Sequence, residues 1–241
     1  MSDYQYTKDW FAWAPKVWGQ LITHLPGRKT FLEIGSFEGR STVWTVENMM
    51  EDGGEIYCID TWEGSEEHVK GELDGAEDRF HQNISVLRTK FPNRAVVSFK
   101  STSVKALAGL LTHNKQFDFI YIDGSHVAKD VLTDACMAWP LLKKNGLMVF
   151  DDYLWKPQGF ETMQRPKIAV DAFVNMFEDE LLIAHCGYQL IVRKVYEREK
   201  IKQERETFIL DRGCWERGCC AYDERDGDGV TIEAKLKEKN T

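Results

Sequence analysis

The apolar positions between residues 10 and 25 are Trp10, Trp13, Val17, Trp18, Leu21, Ile22 and Leu25. They recur at helical spacing and predict an amphipathic helix broken or entered near Pro15. Beyond the turn signal Leu25-Pro26-Gly27-Arg28 the pattern changes to short apolar runs alternating with helical segments. Runs at 30–34, 55–60, 95–99, 117–123 and 146–151 predict strands. Segments at 40–50, 76–90, 103–111 and 127–142 predict the intervening helices, the second stopped at Pro92. A helix at 167–177 follows, then runs at 181–185 and 188–195 joined by little more than Cys186-Gly187. So short a link permits only a hairpin, because a parallel crossover needs about a dozen residues.

Continuously apolar strands alternating with helices predict a parallel sheet covered on both faces. The expected fold is therefore α/β, a Rossmann-like doubly wound sheet of seven strands. It is mostly parallel, with one antiparallel strand in a C-terminal hairpin. Three regions are expected: an N-terminal helical extension or lid at 1–29, the main domain at 30–195 and a charged C-terminal extension at 196–241. The aromatic face of the first helix serves core packing, a lid over a small-molecule site, or both.

Composition narrows the function classes. The chain of 241 residues is 43% hydrophobic and 29% charged, the proportions of a globular protein. Its 39 acidic and 31 basic residues give a net charge of −8, which disfavours nucleic acid as the main partner. No window approaches the ~18 consecutive apolar residues of a membrane span. Residues 1–8 lack the basic-then-apolar order of a signal peptide. Of the six cysteines, three lie in apolar stretches, as reduced thiols do. Cys214, Cys219 and Cys220 cluster, but their spacing matches no paired zinc-ligand pattern and no His lies nearby. The expectation is a cytoplasmic protein without membrane attachment.

The first strand runs into Glu33-Ile34-Gly35-Ser36-Phe37-Glu38-Gly39-Arg40-Ser41 ahead of a helix. Glycine is needed where backbone passes close to a ligand or takes positive φ, and a helix N-terminus offers unpaired amides. Asp60, ending the second strand, can accept hydrogen bonds from both hydroxyls of a ribose. Phe37 stands where a dinucleotide fingerprint needs its second glycine, which disfavours an NAD-linked oxidoreductase. The spacing E-x-G-x-x-x-G-x-S suits a nucleoside with an amino acid end, as in S-adenosylmethionine. Arg40 and Glu38 are expected to matter only for loop shape.

Over about residues 30–194 the chain resembles the class I S-adenosylmethionine-dependent methyltransferases. The nearest resemblance is to the metal-assisted small-molecule O-methyltransferases of the catechol and macrolide-sugar type. Four further segments carry it in order: Ile59-Asp60-Thr61-Trp62, Ser101-Thr102-Ser103, Tyr121-Ile122-Asp123-Gly124-Ser125-His126 and Phe150-Asp151-Asp152-Tyr153. The resemblance implies ribose binding by Asp60 with Trp62 near the cofactor. Thr102 stands where the family usually has an acid; Ser103 either meets the cofactor or caps the next helix. The expected cofactor-binding set is Glu33, Gly35, Ser36, Gly39, Ser41, Asp60, Thr61, Trp62, Thr102, Ser103 and Asp123.

Asp123, Asp151 and Asp152 should converge at the ends of the fourth and fifth strands. Three carboxylates together repel unless protons or a cation intervene, so they are the expected ligands of Mg²⁺ or another divalent cation. Otherwise Asp123 caps the following helix and Asp152 is a turn residue. His126, expected in the first turn of that helix, occupies the place of the catalytic base in the resembling families, and Asp123 shares the catalytic role. His68 and His81 face either the substrate or solvent.

The predicted activity is methyl transfer to a hydroxyl of a small molecule, a sugar or other polyhydroxylated acceptor. A metal-independent N- or O-methyltransferase and a non-catalytic nucleoside-binding module are the rival readings. The aromatic first helix could supply a homo-oligomer interface.

Overall fold

Among the described residues, the alternation of apolar runs resolves into one seven-stranded sheet. Its strands are β1 (Thr30–Ile34), β2 (Glu55–Asp60), β3 (Ala95–Lys100), β4 (Phe117–Ile122), β5 (Leu142–Phe150), β6 (Leu181–Cys186) and β7 (Leu190–Lys194). The order is β3-β2-β1-β4-β5-β7-β6. All pairings are parallel except those of β7, which runs antiparallel to both neighbours. This computed structural model describes residues 3–195 apart from 26, 65–70, 72, 157, 158 and 160. The expected extension at 196–241, its three cysteines and His68 lie outside the described residues.

The helices are α1 (Ala14–Leu21), α2 (Arg40–Asn48), α3 (Ala76–Lys90), α4 (Ser103–Thr112), α5 (Ala128–Ala138) and α6 (Pro166–Met176). Strand periodicity distributes the core between two layers. Leu32, Ile34, Ile120 and Ile122 point toward α4, α5 and α6. Phe31, Phe119 and Tyr121 point the other way, toward α1, α2 and α3. Both faces are thus covered. The order reverses between β1 and β4, and the carboxyl ends of such strands open onto a crevice.

Four expectations are corrected. The first helix is shorter than 10–25: it spans Ala14–Leu21 and tightens into a 3-10 turn at Ile22–His24. Pro15 lies in its first turn, where a missing N–H costs nothing but bars extension from upstream. Likewise α5 ends at Ala138 and passes into a 3-10 turn at Trp139–Leu141, because Pro140 cannot continue the helix. The expected turn at 143–146 lies inside β5 as an irregularity: Leu142 pairs with Phe117, yet Leu147 pairs with Phe119. Asn145 there is left-handed (φ 62°). Finally, His126 precedes α5, whose N-cap is Val127, and is not in its first turn.

Residues 3–13, ahead of α1, cross the outer face of α2 and α3. The Gln5 amide donates to Asn83 Oδ1 (2.7 Å), and Asn83 Nδ2 returns a bond to the Gln5 carbonyl (2.8 Å). Thr7 donates through its amide (2.7 Å) and hydroxyl (2.6 Å) to buried Glu38. Arg40 pairs with Asp9 (2.8 Å) and lies over the Tyr6 ring (4.4 Å). This strap delivers Trp10 to the mouth of the crevice.

Candidate functional site

The glycine loop is shaped first by what surrounds it. At Gly35 (φ +85°) an added Cβ would fall 1.9 Å from the Asp123 carbonyl oxygen, so the turns after β1 and β4 cross in contact. Gly39 (φ +79°) is the N-cap of α2, and a Cβ there would meet the Phe80 ring at 2.9 Å. Both positions require glycine for conformation and packing. Beneath the loop, buried Glu33 accepts hydroxyl hydrogen bonds from Ser36 (2.9 Å), Ser41 (2.5 Å) and Thr42. Burial raises its pKa, and those hydroxyls oppose the shift. Glu33 and Gly39 therefore support the loop from behind and are not among the residues lining the cleft.

Asp60 holds the front of the loop. Its Oδ2 accepts the amides of Ser36 and Phe37, each at 2.8 Å, and its Oδ1 accepts the amide of Trp62 at 2.7 Å. Phe37 (φ 46°) and Trp62 (φ 54°) are bulky residues in left-handed backbone, a conformation that needs compensation from its surroundings. Asp60 supplies it for both. The Trp62 indole also donates to the Phe37 carbonyl (2.8 Å) and packs on Phe80, while Trp10 stacks on Phe37 at 5.0 Å.

At the other end of the crevice the turns after β4 and β5 gather the carboxylates. The Tyr121 hydroxyl meets Asp123 Oδ2 (2.8 Å) and Asp151 Oδ2. A phenol has one proton, so it cannot donate to both acids at once. Burial, then the charges of Asp151 and Asp152, push Asp123 well above the usual carboxylate range. Burial and the Asp152 charge likewise push Asp151 up to about 7. Asp151 is also tied to Gln189 Nε2 (3.0 Å) and the Asp152 amide (2.8 Å). Gln189 is fully buried in the β6–β7 turn and accepts from the Trp18 indole (2.8 Å).

Asp152 (φ 53°) turns toward His126, with Nε2 and Oδ2 2.8 Å apart. The His126 ring packs on Trp155 (4.4 Å). Asp123, His126 and Asp152 can each bring one ligand atom within 4.8 Å of the other two. The converging trio thus differs from the expected one: His126 enters it, and Asp151 braces it through Tyr121 and Gln189. Asp123 does not cap α5; that helix has no side-chain cap, and the Val127 amide bonds Ser125 Oγ at 3.1 Å. Ser103 is engaged by Asp134.

These groups line one cleft of about 1000 Å³. Gly35, Ser36, Ser41, Asp60, Thr61, Trp62, Thr102, Ser103, Asp123, His126, Asp151 and Asp152 all face it. So do Tyr188, Trp155 and Asp134, which no motif announces, together with Tyr121 from the end of β4 and Trp10 and Trp13 from the N-terminal aromatic segment. The apolar alternation of β4 could have marked Tyr121 as a polar atom in a core position. His81 stays outside, exposed beside Glu77 (4.0 Å). Glu38 and Arg40 do more than shape the loop, since they anchor the strap.

A doubly wound sheet with this glycine turn and an acid ending β2 is a Rossmann-like α/β architecture. Residues 32–153 match the family described as a methyltransferase domain, and the chain belongs to that family. An uncharacterized protein of Acanthamoeba polyphaga mimivirus is 27% identical over 136 residues, 54% of this chain and 55% of its own length. The chain thus spans about half the length of that curated relative. Among solved structures, an O-methyltransferase from Bacillus cereus in complex with SAH superposes with a TM-score of 0.58 at 17% identity. The match covers 79% of this chain and 84% of that one. A Clostridium thermocellum protein described as an rRNA methylase gives 0.55 at 13% identity, covering 79% and 100%. The fold is that of the Rossmann-like methyltransferases. No helix among the described residues is long and apolar enough to cross a membrane.

Proposed function

We propose that the chain transfers the methyl group of S-adenosylmethionine to a hydroxyl oxygen of a small polyhydroxylated molecule such as a sugar. The observation that carries the reading is the meeting, in one cleft, of the Asp60-held glycine turn and the Asp123–His126–Asp152 cluster. The first suits a nucleoside with an amino acid end. Asp60 Oδ1 accepts one amide and has a second lone pair for a ribose hydroxyl. The family match and the SAH bound to the Bacillus cereus relative support the same cofactor.

In this reading the methyl carbon passes in line from sulfur to the acceptor oxygen; the S–C bond breaks as C–O forms, leaving S-adenosylhomocysteine. Alignment and exclusion of water are the protein's main contribution. Trp10, Trp62 and Phe37 close one end of the cleft, and Tyr188 and Trp155 close the other. Two carboxylates and an imidazole within reach of a common point fit a divalent cation, with Asp123, His126 and Asp152 as its protein ligands. A cation bound there would lower the pKa of an acceptor hydroxyl and neutralise the buried acids. The mixed N/O set suits Mn²⁺ as well as Mg²⁺.

The 2.8 Å contact between His126 and Asp152 favours a second reading without metal. There Nε2–H donates to the Asp152 carboxylate, the acceptor proton ends on the other ring nitrogen, and Asp152 stabilises the imidazolium so formed.

Turnover of labelled S-adenosylmethionine with a panel of sugars and other polyols tests both. EDTA should stop the reaction, and Mg²⁺ or Mn²⁺ should restore it. Activity indifferent to EDTA but lowered about 10²–10⁴-fold in His126→Ala selects the histidine base. Cofactor binding with no transfer to any acceptor, with or without added metal, selects a nucleoside-binding module.

A further inference from the structure

Gln189 places a buried amide directly ahead of three buried apolar residues, Leu190, Ile191 and Val192 of β7. Such a group is tolerated only where its donors and acceptor find partners. The Trp18 indole donates to Oε1 at 2.8 Å. An indole N–H can only donate, so the Gln189 oxygen must face Trp18 and its NH₂ must face Asp151. Nε2 then donates to Asp151 Oδ2 at 3.0 Å. Trp18 is fixed in its turn. Its ring packs edge-on against Phe119 (5.0 Å), Tyr121 (4.8 Å) and Trp44 (5.8 Å).

The tie has a consequence for Asp151. Its Oδ2 meets Gln189 Nε2 and the Tyr121 hydroxyl, and its Oδ1 accepts the Asp152 amide at 2.8 Å. Protein groups thus engage both oxygens. Asp151 lines the same cleft as its neighbour Asp152, yet the ligand atoms that converge belong to Asp123, His126 and Asp152. Trp18 and Gln189 both lie outside residues 32–153, the part that matches the methyltransferase domain. The hold on Asp151 therefore comes from the flanking elements of this chain, α1 and the β6–β7 turn.

We propose that Gln189, oriented by Trp18, is the positioning residue that holds Asp151 out of the cation's ligand set and leaves the third place to His126. The inference rests on the metal reading of the cleft and adds what selects its ligands. Groups that fix the surroundings of a metal's ligands change its affinity without touching it, by about 10–100-fold. An apolar residue at 189 would fill the space and hold nothing. Asp151 would then lose one of its ties and compete with His126. If the amide merely satisfied the indole, its loss would cost stability and leave the ligands unchanged.

The test is a double-mutant cycle, read by calorimetric titration of the full chain with Mn²⁺ in the absence of cofactor and acceptor. In the wild-type background His126→Ala should weaken Mn²⁺ binding by at least about tenfold. In the Gln189→Leu background the same change should cost no more than about threefold, because Asp151 takes the place left by the imidazole. Trp18→Phe keeps an aromatic ring and deletes the indole N–H, so it serves if Gln189→Leu fails to fold. It should lower the cost of His126→Ala in the same direction. An equal cost in every background overturns the assignment, as does a wild-type affinity indifferent to His126→Ala. A wild type that takes up no Mn²⁺ removes the metal reading itself, and the inference with it.

Discussion

Asp60 and Asp118 show at the level of single residues how the same side chain serves opposite ends of the sheet. Asp118, at the amino end of β4, accepts from the Lys29 and Thr30 amides (3.1 and 3.0 Å) and from Lys143 Nζ (2.9 Å). Burial works against its charge, but Lys143 and the two amides outweigh it and hold its pKa below the usual value. A depressed folded pKa means stability that is full above the unfolded pKa and is lost as pH falls through the folded one. Asp118→Ala should therefore cost roughly 3 kcal/mol in urea unfolding at pH 7, with a smaller cost in acid. Asp123 and Asp151 have raised values and act in the opposite direction. Their contribution is full below the unfolded pKa and disappears as pH rises through the folded values, about 7 for Asp151. Thermal melts without added metal should thus lose ground from pH 5 to pH 8, and Mn²⁺ should stabilise more at pH 8 than at pH 5. A cation effect independent of pH would speak against the acidic cluster as its site.

At the level of elements, much of the scaffold was legible. Continuous apolar runs named the strands, and Cys186-Gly187 forced the hairpin that makes β7 antiparallel. Prolines moved the boundaries: Pro15 shortened α1, and Pro140 broke α5. Most motif residues lie at strand ends, where topology brings them to one cleft, while Glu33 and Gly39 stay behind the glycine loop. What remained hidden depends on long-range contact. Gln189 sits in a turn with no motif, yet it bridges Trp18 and Asp151. Asp134 looks like an ordinary helix acid until the sheet buries it. The glycines carried an ambiguous signal, since the same spacing answers a close ligand or, at Gly35, a crossing of two turns. Gly35→Ala should cost several kcal/mol, more than a surface substitution, because methyl and carbonyl cannot occupy one place. The strap makes a separate prediction. Trp10 is 52% exposed and touches the site through Phe37. Trp10→Ala should weaken cofactor binding by about three- to tenfold, with little change in melting temperature.

Across the whole molecule, the sheet separates two kinds of acidic chemistry. Asp118 and Lys143 close the amino end of β4 as a structural pair, while the carboxyl ends of β1, β2, β4 and β5 expose loops that share one cleft. The family match lies over the half of the chain that builds those loops. The strap reaches the same cleft from outside that region, and the β6–β7 turn braces its acidic end through Gln189. The account depends on a single occupant bridging Asp60 and the acidic cluster. The most direct measurement is calorimetric titration of the full chain and of Asp60→Ala with S-adenosylhomocysteine. The account predicts one molecule bound per chain and loss of binding in Asp60→Ala. No binding to the wild type, or equal affinity in the variant, would contradict it.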